Sequence, residues 1–259
     1  VNVLSGEGTF TVLAPDNDAF ASFLNGTALG DVPTDALANI LLNHVLGSVV
    51  TSTDLVGLGA GYTNTLATGP GQNNLSLYFN TSEGVSFNGV SSVAAADVVT
   101  TNGVIHAIDA VIGVPTVVTF ALADPNFSTL VAALTELTPA TDFATILSDT
   151  EGLFTVFAPV NAAFDALDAV PAEDVLTQVL LHHVIGGLNV TSGDLTPDGV
   201  TTAPSLHGDN LSISLPGSES NIADMTDGSG NSDIGIVAVD VQAGNGVIHV
   251  INKVAIPTI

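Results

Sequence analysis

The chain has 259 residues, 46% of them apolar, and sets 26 acidic groups against a single base, Lys253, for a formal net charge of −25. Phosphate recognition needs concentrated Lys and Arg, so nucleic acid is excluded as a direct partner and anionic membrane surfaces are disfavoured, whereas cations are attracted. With no cysteine there is neither a disulfide nor a thiolate metal site, and no apolar run reaches the roughly 18 residues needed for membrane insertion.

In chain order, residues 9–14 form a β-branched and apolar run stopped by Pro15, which predicts a buried strand. Asp16 or Asn17 then caps a short helix carrying Phe20, Phe23 and Leu24 and closed by Asn25-Gly26. A second helix follows Pro33 and sets Leu37, Ile40, Leu41 and His44 at helical spacing, so His44 is expected on its buried stripe. Strand alternation with Gly and Asn turns recurs around residues 75–80, 85–88 and 93–99. Asn102-Gly103 between two apolar runs predicts a closing hairpin.

After Pro115 the chain begins again. Residues 116–123 lead, past Asp124-Pro125, into a predicted helix with Phe127, Leu130, Val131, Leu134 and Leu137 on one face, followed by a short helix over 142–148. From there the first half is repeated. Gly8-Thr9-Phe10-Thr11-Val12-Leu13-Ala14-Pro15 returns from Gly152, Leu41-Leu42-Asn43-His44-Val45 from Leu180, and Asn102-Gly103-Val104-Ile105-His106 from Asn245. The offsets are 144, 139 and 143 residues, far beyond the roughly 20 to 50 of a solenoid unit, so the duplicated element is a whole domain. The expected boundaries are 1–115 and 116–259.

Three ordered segments resemble the fasciclin domain: Thr11-Val12-Leu13-Ala14-Pro15-x-Asn17-x-Ala19-Phe20, Leu41-Leu42-x-His44-Val45, and Asn102-Gly103-Val104-Ile105-His106-x-Ile108-Asp109, each with its second-copy equivalent. Residues 127–134 are similar to the first long helix of that family. The resemblance implies an α+β fold, two tandem fasciclin-like domains, each an antiparallel β-sandwich or wedge with short helices packed on one side. It also implies secretion to the extracellular space or cell surface, and adhesion. Animal members place a Tyr, linked to integrin recognition, before the helix-ending His. Here Asn43 and His182 stand there, so integrin binding is not carried over.

The first copy has no counterpart of residues 118 to about 144, so 1–115 is expected to lack its N-terminal helices while 116–259 is complete. Five large apolar residues on the absent helix, at about 1.5 to 3 kcal/mol each, amount to something of order 10 kcal/mol. A domain's net stability is only about 5–15 kcal/mol, which predicts a weak first copy unless a neighbouring repeat or molecule supplies the cover.

His44 and His183, and likewise His106 and His249, recur at matching positions. With no carboxylate or Cys at ligand spacing they read as buried, hydrogen-bonded groups. Asp97 and Asp240, and Asp109 with its counterpart Asn252, read as sheet or turn hydrogen-bonders, since an Asp-to-Asn exchange is awkward for a general base. His207 has no first-copy partner and reads as a loop residue. Asp227, Ser229, Asn231 and Asp233 alternate as in calcium loops and form the one metal candidate, although Ser232 and Ala238 depart from the EF-hand pattern. Gly57-Leu58-Gly59-Ala60-Gly61 lacks the Lys of a phosphate loop and reads as a flexible turn. No hydrolytic signature occurs and no cofactor other than calcium is suggested. The expectation is a non-enzymatic extracellular adhesion or matrix module, in a longer tandem array or a self-assembling surface fibre, with protein partners or self-association. The alternative is a small-ligand or carbohydrate-binding surface protein.

Overall fold

The computed structural model describes residues 3–259, which fall into two compact units divided between Pro115 and Thr116. In the first unit, β1 (Phe10–Pro15), β2 (Val45–Leu46), β3 (Ala60–Thr68), β4 (Asn74–Asn80), β5 (Ser86–Phe87), β6 (Ser91–Thr100) and β7 (Gly103–Ile108) follow one another around a closed barrel. Every pair is antiparallel except the one that closes it. There β1 runs parallel to β7, from Phe10 opposite Gly103 to Pro15 opposite Ile108. The expected antiparallel sheet is therefore sealed by a parallel seam, which period-two alternation cannot reveal because it is common to both pairing directions. Leu13, Leu46, Leu77, Phe79, Phe87 and Ile108 fill the interior.

Three helices decorate this barrel: α1 (Asn17–Leu24), α2 (Thr34–Leu42) and α3 (Ser52–Leu58). Asp16 caps α1 by accepting from the Ala19 amide at 2.8 Å, and Asn25 ends it in the left-handed region at φ 45°. Thr51 and Asp54 close a capping box on α3.

The second unit opens with α4 (Val117–Ala123), α5 (Ser128–Thr135) and α6 (Phe143–Leu147). It continues through β8 (Phe154–Pro159), α7 (Asn161–Asp165), α8 (Glu173–His182), β9 (Val184–Gly186), β10 (Val200–Pro204), β11 (Asn210–Ser214), β12 (Ala223–Thr226), β13 (Ile234–Ala243) and β14 (Gly246–Ile251). The sheet order is β10-β11-β12-β13-β14-β8-β9, again with one parallel pair, β14 beside β8. Asn102-Gly103 and Asn245-Gly246 make the expected hairpins, β6–β7 and β13–β14. Residues 117–123 prove helical, held by a Thr116–Thr119 capping box. Leu137, expected on the apolar face of the next helix, lies beyond the end of α5 and is 44% exposed, because α5 stops at Thr135 and the chain turns there.

Burial separates the two copies. Every residue of β8 and β14 is buried, since Phe157 and Ile251 face the core within the sheet while α4, α5 and α6 cover the opposite face. In β1 and β7 burial alternates, leaving Phe10, Val12, Ala14, Gly103, Ile105 and Ala107 only half-buried. The same contrast marks the helices. In α8, Leu176, Val179 and Leu180 are buried, whereas α2 buries none of its residues and Leu41 is 47% exposed where its twin Leu180 is 2%. Among the described residues no helix precedes β1, and none is by itself long and apolar enough to cross a membrane.

Both parallel seams bring backbone against backbone at a glycine. A Cβ on Gly246 would lie 2.1 Å from the Phe154 carbonyl oxygen, and one on Gly103 1.9 Å from that of Phe10. Gly246→Ala is expected to lower unfolding stability by about 3 kcal/mol or more, read from urea denaturation. A midpoint within error of the parent would show that the seam is not so tightly drawn.

Candidate functional site

Polar groups buried in each domain form three constellations. The first ties the end of a helix to the strand exit. His44 Nδ1–H donates to the Ile40 carbonyl at 2.8 Å while Nε2 accepts the Ile112 amide at 2.9 Å. His183 repeats this with the Val179 carbonyl at 2.7 Å and the Ala255 amide at 2.9 Å. Both rings must be neutral to donate at one nitrogen and accept at the other. Burial pushes His183 down to about 4 and lowers His44 by the same cause, partly offset by the Ile40 carbonyl.

The second constellation sits at a bulge in the long strand. Asp97 and Asp240 occupy the left-handed region at φ 59° and 62°, where β6 and β13 slip register. Each carboxylate accepts the amide and hydroxyl of the first residue of the facing helical turn, Ser52 or Ser192, the amide bonds being 2.9 and 2.8 Å. Those bonds hold the Asp97 carboxyl below the usual range. Behind Asp97, His106 Nδ1 accepts the Asp97 amide at 3.2 Å and Nε2–H donates to the Val50 carbonyl at 2.9 Å. A serine relay needs the imidazole next to the hydroxyl. Here the carboxylate stands between them and the His106 lone pair is already used, so the group locks the bulge instead of activating Ser52.

The third constellation is the loop 227–233, the expected calcium candidate. Three of its four residues meet, around the first. The Asp227 carboxylate, 5% exposed, accepts the Ser229 amide (3.1 Å) and hydroxyl (3.1 Å), the Asn231 amide (2.8 Å) and side-chain amide (2.9 Å), and the Ile256 amide (2.8 Å). Donors therefore converge on Asp227, the polarity opposite to a cation cage, in which oxygens point inward. Asp233 is turned to Lys253 at the exposed surface. A cation at Asp227 would have to displace hydrogen bonds that close the loop.

His207 is not the isolated loop residue expected from the sequence. The β10–β11 turn carries it to His182, with ring centroids 5.9 Å apart edge-on, and its Nδ1 lies 3.5 Å from Asp209 Oδ2. His182 replaces Asn43 of the first copy, whose side-chain amide donates to the Gly113 carbonyl at 2.9 Å and whose oxygen accepts from Thr65 at 3.1 Å. Only the short spacing His207-Gly208-Asp209 hinted at this meeting.

Duplicated α+β units, one a closed barrel and the other an open seven-stranded sheet, each with one parallel pair of strands, define a protein of tandem structural modules. The chain belongs to the fasciclin domain family, whose model matches residues 1–115 and again 125–257. Among its relatives, protein sll1483 of Synechocystis is 36% identical over 150 residues, 55% of this chain and 73% of that one. Human periostin is 27% identical over 271 residues, 98% of this chain and 29% of that one. In structure the chain is similar to a FAS1 domain pair from the insect cell adhesion molecule Fasciclin I, with a TM-score of 0.55 over 95% of this chain and 88% of that chain. At 24% sequence identity that likeness speaks for the fold.

The neutral histidines make stability depend on pH. Their folded pKa values lie below the unfolded value of 6.5, so the unfolded state binds more protons in between and stability rises with pH across that window. For His183 the window runs from about 4 to 6.5, worth about 3 kcal/mol. We expect the urea midpoint to climb between pH 4 and 7, and His44→Gln to remove part of the climb relative to the parent. A variant with the parent's full slope would refute the His44 assignment.

Proposed function

We propose that the protein is a non-enzymatic adhesion or matrix module of the cell exterior, working by surface contact with protein partners and with further fasciclin repeats. The observation that carries this reading is the apolar outer face of β1 and β7, which the described residues leave only half-buried, with Leu4 beside Phe10, Val12 and Ile105. Val12, Ala14 and Ile105 occupy the places of Val156, Ala158 and Ile248. In the second domain these last three lie under α4, α5 and α6. A parallel pair is stable when both faces are covered, and helices of the α4–α6 kind, from any fasciclin repeat, fit this half-buried apolar face. Another fasciclin repeat supplies such helices, giving an array or fibre held by apolar burial. The few charged side chains, 10% of the chain and nearly all acidic, suit an extracellular surface kept soluble by net charge. The insect relative's description as a cell adhesion molecule points the same way.

A second reading, a small-ligand binder, is favoured by one cavity. Roughly 150 Å³ lies open between α4, α5, α6 and the outer face of β8 and β14, lined by Val118, Ala121, Val131, Leu134, Val156 and Ile248. Its walls are apolar, so its ligand would be a small apolar molecule, not a sugar.

Sedimentation velocity over a range of concentrations, with and without a peptide of residues 116–147, separates the two. The adhesion reading expects self-association or saturable peptide binding, weakened at least about tenfold by Ile105→Glu. A strictly monomeric chain that ignores the peptide but takes up a neutral apolar fluorophore would favour the second.

A further inference from the structure

We propose that His182, His207 and Asp209 form a binding site for a divalent transition-metal ion, zinc foremost, in the second domain alone. One ligand-capable atom from each of the three lies within 4.8 Å of the others. All three stand where α8 ends and the β10–β11 hairpin turns back, so a residue at a helix terminus faces two from a five-residue connection.

Hydrogen bonding prepares the first imidazole for coordination. Ser205 Oγ donates to the Asp209 carbonyl at 2.9 Å, which leaves it to accept from His182 Nδ1–H, also at 2.9 Å. That fixes the tautomer, and the Nε2 lone pair accepts the Gly228 amide at 3.0 Å, a bond that a metal ion has to displace. An imidazole whose far nitrogen donates to an oxygen is the usual support of a metal-ligating histidine. The second imidazole has no such engagement. His207 Nδ1 is buried without a hydrogen-bond partner, 3.5 Å from Asp209 Oδ2. A buried nitrogen left unsatisfied beside a carboxylate and a second imidazole is accounted for by a cation between them.

Zinc bonds to imidazole nitrogen and carboxylate oxygen at about 2.0–2.2 Å, so the three atoms must draw together on binding. The Gly228 amide gives up His182 Nε2, and the Thr258 amide, now 2.6 Å from Asp209 Oδ2, shares that oxygen with the ion. Partial exposure of His207 and Asp209, 17% and 29% of their side chains, provides an entry path and leaves a fourth position for water. Two nitrogen ligands select zinc, nickel or copper over calcium and magnesium, which prefer oxygen. The first domain has Asn43 in place of His182 and no equivalent of His207, so one ion per chain is expected.

The test is calorimetric titration of zinc chloride into the chelator-stripped full chain with excess magnesium present. One saturable site is expected, with a rise in melting temperature. His207→Ala is expected to weaken binding at least about tenfold while the metal-free melting temperature holds, because its buried nitrogen makes no hydrogen bond. Asp209→Asn serves as the second variant. Absence of zinc binding, full competition by magnesium, or unchanged affinity in both variants would overturn the proposal, the last two marking diffuse attraction to the acidic surface.

Discussion

The parallel contact between the first and last strands of each repeat is the constraint on which the rest depends. The first strand of the repeat and its last meet side by side, closing the barrel in the first copy and joining β8–β9 to the rest of an open sheet in the second. Glycine at the head of the returning strand permits the approach, since its Cα passes against the carbonyl of Phe10 or Phe154. Parallel ladders need cover on both faces. One face is met by the barrel interior, and the other must be met from outside the sheet. In the second domain the helices that begin at Val117 do this. In the first domain the same face, built of the same residue types, is half-buried among the described residues.

That difference separates two copies that share the same ordered motifs. Leu180 is sealed and Leu41 is not, although both sit on the same stripe of the same helix. The covered domain is a finished core with a small apolar void beneath its lid. The first domain carries half-buried apolar side chains on β1 and β7 beside the exposed Leu41 of α2, of a kind associated with protein contact. The proposed adhesive reading rests on this apolar face more than on any polar site.

The polar interior does a different task. His44, His183, His106 and Asp97 with their counterparts each satisfy backbone groups that the barrel's irregular corners would otherwise leave unpaired. For His44 and His183 the cost is acid sensitivity, because an imidazole that accepts an amide hydrogen bond cannot also carry a second proton. Divergence between the copies has been free where such duties are light. Asn43 and His182 both tie the end of the helix to neighbouring chain, one by an amide and the other by an imidazole, and only the imidazole lies near further metal-capable groups.

Much of this was legible in the residues alone. The duplication, a cap at the Asp16-Asn17 pair, the hairpins at Asn102-Gly103 and Asn245-Gly246 and the burial of His44 and His183 all follow from composition, period and turn chemistry among neighbouring residues. The helix at 117–123 was missed because Val, Thr and Phe serve strands as readily as helices, and packing on β14 and α5 decides between them. Strand direction at the seam, the inward-pointing donors around Asp227 and the meeting of His182 with His207 and Asp209 belong to the tertiary structure. Each depends on which distant segments the folded sheets bring together, and local periodicity carries no record of that.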